Sequence, residues 1–214
     1  MQAGISAARA IKQQLPETRI VWAEPLVHVA PRSHDRREKR NAEAARLGQF
    51  EAYDWILGKA LPELGGDPSF ADAIGLNFYP HNQWYLDGPT IPLGHHEYRP
   101  LADMLEEVGQ RYGKPIFLSE TGAEGSGRPS WFHYVCSEAR EAIRRGVDLR
   151  GICWYPITAY PGWDNSRHAE AGLLSTVTAD GSRHVDAALL EEMQAQRALF
   201  EELDVPAAKI AASG

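Results

Sequence analysis

Short apolar runs alternate with amphipathic stretches along this chain. Residues 5–15 set Ile5, Ala8, Ile11 and Leu15 at helical spacing, and Pro16 stops that helix. Residues 19–27, with Ile20, Val21, Trp22 and Val27, read as a strand. Residues 35–60 return to a helical period, with Ala42, Ala45, Phe50, Tyr53, Trp55 and Leu57 as the apolar stripe. A second strand covers 73–79 and ends at Pro80. Pro100 suits the first turn of a helix through Leu101, Met104, Leu105, Val108 and Tyr112, and Gly113 stands where a helix C-terminal glycine belongs. The run Pro115-Ile116-Phe117-Leu118 is a third strand, leading to Glu120. Ser130 is placed to cap a helix over Trp131, Val135, Ala139 and Ile143, with Gly146 as its stop. Residues 151–155 form the fourth strand and 186–203 the last helix, while 30–72 holds no strand.

Four strands separated by helices imply a parallel sheet with right-handed crossovers. A doubly wound open sheet and part of a (β/α)₈ barrel both satisfy that pattern. A doubly wound nucleotide binder needs a glycine-rich phosphate turn after its first strand. The first strand here runs into Glu24-Pro25-Leu26-Val27-His28, with no glycine. That favours a (β/α)₈ TIM-barrel type of α/β fold, and residues 1–214 read as one domain without low-complexity linkers.

Composition narrows the function. A net charge of −7 with no basic stripe argues against nucleic acid, and Arg36-Arg37-Glu38-Lys39-Arg40 reads as the solvated face of a helix. No run approaches the ~18–20 apolar residues of a membrane span. With no secretory signal at the start, the expectation is a cytoplasmic protein that needs no membrane. Cys136 and Cys153 lack metal or redox spacing and read as buried thiols. The eight histidines include no HxxxH or HExxH pair, so neither a metal nor any other cofactor is expected.

The candidate chemistry lies where strands end, which is where α/β barrels keep their active sites. Those ends carry Glu24, Asn77 with Tyr79, Glu120, and Trp154. Carboxylate, amide, phenol and indole on one rim describe a sugar site. Asn and Glu bind hydroxyls in pairs, and Trp offers a flat apolar face to a pyranose ring. Trp84, Tyr85 and Trp131 read as packing or loop residues, and Glu124 is the runner-up carboxylate, placed in the glycine-rich loop 122–127 where solvation is expected.

Those residues resemble a known family. Asn77-Phe78-Tyr79 after an Ile-Gly-Leu strand is similar to the Asn-x-Tyr signature on the sixth strand of clan A glycoside hydrolases, especially the family-one β-glucosidases. Leu118-Ser119-Glu120-Thr121-Gly122 resembles their seventh-strand nucleophile motif, usually Ile/Val-Thr-Glu-Asn-Gly. Trp154 falls where the eighth strand carries a tryptophan under the sugar. Trp163-Asp164-Asn165 and Ala171-Gly172-Leu173-Leu174 are similar to the aromatic loop and Gly-Leu element beyond it. The order and spacing of these short motifs carry the resemblance across about residues 5 to 200.

The resemblance implies a retaining glycosidase, which needs two carboxylates ~5 Å apart. Glu120 is the implied nucleophile. The acid/base glutamate belongs in an Asn-Glu-Pro motif ending the fourth strand. Ala23-Glu24-Pro25 imitates that motif with alanine for asparagine, which makes Glu24 the alternative acid/base. Strand counting places Glu24 instead at the end of the fifth strand, because only two strands follow it up to Glu120. The chain then reads as the C-terminal half of a barrel, about strands 5–8, with its acid/base on a missing N-terminal half. Tyr79 is expected to hold Glu120, Asn77 to orient sugar hydroxyls, and Trp154 to stack on the ring. Trp163 and His81 line the rim. Open barrel edges make self-association an expectation. Two other readings stay open: a carbohydrate-binding pseudoenzyme or inactive fragment, and a metal-dependent barrel isomerase.

Overall fold

The computed structural model describes residues 1–162 and 166–203. Its helices are α1 (Gln2–Gln14), α2 (Arg36–Leu47), α3 (Glu51–Ile56), α4 (Leu101–Tyr112), α5 (Arg128–Arg144) and α6 (Ala187–Glu201). The strands are β1 (Val21–Pro25), β2 (His28–Ala30), β3 (Ala73–Asn77), β4 (Gln83–Tyr85), β5 (Ile116–Thr121), β6 (Leu149–Trp154), β7 (Tyr160–Pro161) and β8 (His168–Ala169). The main sheet has four strands in the order β1-β3-β5-β6, all parallel. These are the four strands that the hydrophobic pattern marks, in a partial barrel. Two small ladders were not visible in the pattern: parallel β2–β4 and antiparallel β7–β8. Both are two or three residues long, too short to show a period. No described helix is long and apolar enough to cross a membrane.

Each helix has a local cause, and three expectations need correction. Asp35 caps α2 by accepting from Arg37 N (2.8 Å) and Glu38 N (3.0 Å), and Gly113 ends α4 at φ 60°. The expected helix 35–60 breaks into α2, a 3₁₀ turn and α3, and the chain leaves through Gly58 at φ +69°. On α2, Ala45 is exposed and Arg46 takes the buried place, because its guanidinium is satisfied by Glu43 (2.7 Å) and Glu107 (2.9 Å). Ser130 is not a cap. The helix α5 starts two residues earlier with Pro129 in its first turn, and Ser130 Oγ donates back to Gly127 O at 3.0 Å.

The core lies between one face of the sheet and the helices. Ile74, Leu76, Ile116 and Leu118 are at most 1% exposed and pack with Ile5, Tyr53, Leu105, Val108 and Val135. Truncating one such Leu or Ile to Ala typically costs ~2–5 kcal/mol. The opposite, inner face is open. On β1 the inner positions Val21, Ala23 and Pro25 are exposed, and Val21 is 47% exposed. Cys153 belongs to this face too. It is exposed, not buried as expected, because Trp154 beside it turns into the core and alternation sends Cys153 the other way. Cys136 is buried, and burial pushes its thiol up to about 12.

The end of β5 departs from regular alternation. Leu118 pairs with Ile152 and Thr121 with Trp154, so three steps on β5 match two on β6. On the other side Leu76 pairs with Leu118 but Asn77 with Glu120. One extra residue is therefore inserted at Ser119-Glu120, a β-bulge. Leu118 and Thr121 both face the helices, and Thr121 Oγ1 accepts from the buried Trp131 Nε1 at 2.9 Å. The chain then crosses close over β6, where Tyr155 N donates to Thr121 O at 2.8 Å. A Cβ on Gly122 would lie 2.2 Å from Tyr155 O. Only glycine permits that approach.

Two outcomes follow from this architecture. Gly122→Ala should destabilise the chain by about 1–3 kcal/mol in urea unfolding, while Gly127→Ala, whose Cβ would meet nothing within 4 Å, should stay within about 0.5 kcal/mol. The β1 edge is blunted by Pro25, whereas the β6 edge carries no proline. Self-association through β6 is expected, and Cys153→Lys should weaken it in light scattering; a wild-type chain that stays monomeric at every concentration would contradict this.

Candidate active site

The bulge decides where Glu120 points. Regular alternation would place it with Leu118 on the helix side. The inserted residue leaves Ser119 and Glu120 both on the inner face. Ser119 Oγ there donates to Asn77 Oδ1 at 2.7 Å, and Tyr79 Oη donates to Glu120 Oε2 at 2.8 Å. The serine bond fixes the Asn77 side chain, whose amide nitrogen has no partner among the described residues. Glu120 is half-buried.

Tyr79 is held from both sides. Phe78 is fully buried and stacks on Trp131 with ring centroids 5.5 Å apart, so the next residue turns to the opposite side. Asn82, itself buried, closes the following turn. Its Oδ1 accepts from Tyr79 N (3.2 Å), and its Nδ2 donates to Leu26 O (3.0 Å) and Asn77 O (3.2 Å). Burial raises the Tyr79 pKa, and the bond to the Glu120 carboxylate raises it further. The phenol therefore stays protonated and remains a donor to Glu120. His81 is exposed and stacks nearly parallel on Tyr79, at 5.8 Å and 14°.

Two expected site residues face elsewhere. Glu24 pairs in register with Leu76, which is buried in the core, so Glu24 shares the helix-facing side. There it lies near the buried Tyr53 of α3, whose pKa is raised first by burial and then by the Glu24 charge. The structure does not bring Glu24 to Glu120. Trp154 is 5% exposed, donates from Nε1 to Ala171 O at 3.1 Å and meets Phe132 edge-on at 5.7 Å. Its register partner Thr121 faces α5, and Trp154 does the same. It packs the core and presents no face to the inner side. The third expected aromatic, Trp163, lies outside the described residues.

The aromatic that faces out at the end of β6 is Tyr155, 42% exposed, one position on from Trp154. The parity of Ile152 and Trp154 was the available signal for it. Tyr155 lines a cavity of about 280 Å³ with Tyr79, His81, Gly122, Tyr160 and Ala169. At the rim, the Arg167 guanidinium holds Glu124 through two bonds, 2.6 and 3.0 Å, and keeps its carboxyl below the usual range. Both partners are more than half exposed, so this pair adds little stability. The walls are braced more firmly by Arg128, which donates to Gly125 O (2.8 Å), Gly172 O and Asp186 (2.7 Å). No three His, Cys, Asp or Glu side chains converge as a metal site among the described residues.

No family model and no curated protein matches the sequence. Solved structures do. The family 1 β-glucosidase of Thermotoga maritima superposes with a TM-score of 0.68 at 14% identity, covering 90% of this chain and 54% of that one. A hyperthermophilic β-glucosidase mutant gives 0.66 at 20% identity, over 89% and 46%. A rice β-glucosidase mutant in covalent complex with glucose gives 0.66 at 14%, over 89% and 54%. The chain spans about half the length of these proteins. What it shares with them at such identities is the fold, that of part of a β-glucosidase TIM barrel.

Proposed function

We propose that the chain is the nucleophile-bearing half of a retaining β-glycosidase, completed by barrel strands that lie outside these residues. The observation that carries this reading is the Tyr79–Glu120 hydrogen bond at a bulged strand end. A carboxylate on the inner face, held by a protonated phenol, has one oxygen oriented and the other available for attack. In the reaction, a Glu120 oxygen bonds to the anomeric carbon as the glycosidic C–O bond breaks. A carboxylic acid on the other half gives its proton to the departing oxygen, then takes one from water as the glycosyl ester is hydrolysed. Asn77, held by Ser119, offers its amide N–H to a sugar hydroxyl. Glu24 has no part in this chemistry, because it faces the helices.

The test has two arms. The chain by itself should leave an unactivated disaccharide intact, since general acid assistance is typically worth ~10²–10⁴-fold and a second carboxylate is needed at ~5 Å. Joined to the remaining strands, it should be labelled at Glu120 by an activated 2-fluoro glycoside, and Glu120→Gln should lower turnover by several orders of magnitude with the fold unchanged. Labelling at Glu24 or Glu124, or efficient disaccharide hydrolysis by the lone chain, overturns the assignment.

A further inference from the structure

A buried nitrogen without a partner lies on β2. His28 opens that strand, opposite Gln83 of β4. Its ring is half-buried, and Nδ1 is buried with no hydrogen-bond partner among the described residues. The backbone is engaged, since His28 N donates to Asn82 O at 3.0 Å. Two guanidinium groups act on the ring through their charge, Arg46 of α2 and Arg99 in the loop before α4. Both are anchored on Glu107 of α4, at 2.9 and 2.6 Å. The Gln83 side chain also holds the Arg99 backbone, accepting from Arg99 N and donating to Arg99 O, each at 2.8 Å. Neither cation is free to swing away. We propose that His28 is an acid-sensitive latch: protonation of its ring opens the β2–β4 ladder and, through Asn82, loosens the turn that carries Tyr79.

The chemistry of imidazole sets the direction. A neutral ring donates from one nitrogen and can leave the other bare, whereas the cation must donate from both. Nδ1 meets no acceptor, so the cation would bury an unsatisfied N–H together with its charge. The nearby carboxylates are already committed or solvated. Glu43 of α2 is bound twice by Arg46, at 2.8 and 2.7 Å, the two guanidinium groups share Glu107, and Glu97 stands exposed before α4. Burial first, then the charges of Arg99 and Arg46, lower the His28 pKa below its ordinary value, against the smaller pull of Glu97 and Glu43. In the unfolded chain the ring takes up a proton as pH falls through about 6.5, while the folded ring resists. The stability that neutral His28 confers is therefore present above that pH and drains away below it, until the folded ring is protonated as well. Glu43 and Glu107 are held below the usual carboxylate range and stay charged through this window. The ladder gives way before the main sheet because each of its strands has only three residues. Asn82 passes the effect on, since its carbonyl accepts from His28 N and its Oδ1 from Tyr79 N. None of this depends on the chemistry assigned to Glu120.

Amide hydrogen exchange of the full chain, read by mass spectrometry at pH ~7.5 and ~5.5 and corrected for intrinsic exchange rates, tests the latch. At the lower pH, residues 26–31 and 78–86 should open several-fold more often relative to α5. The ceiling is about tenfold, for a ring whose open-state pKa lies one unit above the sample pH. The chain has eight histidines, so the response needs a control. His28→Gln is neutral at both pH values and should abolish the difference between the two samples. Circular dichroism checks that it folds; if it does not, Arg99→Gln takes its place and should shrink the difference. Equal protection of these segments at the two pH values, or an acid response undiminished in the folded variant, overturns the proposal.

Discussion

Strand side chains alternate, and the one inserted residue at Ser119-Glu120 is the constraint on which the rest of the site depends. Without it Glu120 would point into the core, where an unpaired carboxylate is costly. With it, Leu118 and Thr121 keep the apolar contacts of β5 while the two residues between them face inward. The bulge therefore separates two demands within six residues of strand. Packing is served by Ile116, Leu118 and Thr121. Ser119 and Glu120 are left to hold Asn77 and to meet Tyr79.

The scaffold around this strand end is braced by buried polar groups. Asn82 satisfies three backbone groups of β1's continuation and β3's exit, and that fixes the Tyr79 turn. Arg128 stands in the first turn of α5, where a cation opposes the helix dipole. Asp186 and two carbonyls offset that local cost and join α5 to the cap of α6. Farther out, Glu107 lies between Arg46 and Arg99. Burial alone would raise its pKa, but the hydrogen bonds from the two guanidinium groups outweigh burial and hold it below the usual range. That linkage ties α2 to α4.

Much of the fold was legible because helices and strands differ in period, and the four long strands carry clear apolar runs. The inner or outer direction of each rim residue was not. Position at a strand end marks Glu24, Glu120 and Trp154 equally, yet a side chain's face depends on register with its neighbours. Register sends Glu24 with Leu76 and Trp154 with Thr121 to the helix side. The bulge had no marker either, since Leu-Ser-Glu-Thr contains no glycine or proline. Arg46 shows the same limit from the other direction. A cation reads as surface until its carboxylate partners, one of them 61 residues away, are known.

The open inner face of the sheet has a consequence for how such a chain can change over time. Its hydrophobic core is complete on the outer side, where Ile74, Leu76, Ile116 and Leu118 meet the helices. Inner positions such as Ala23, Ser119 and Cys153 contribute little to that core. Drift at these positions costs little folding free energy, so reactivity and foldability can be selected almost independently. A lineage could lose or alter its chemistry at the inner face and still keep a well-packed shell of sheet and helices.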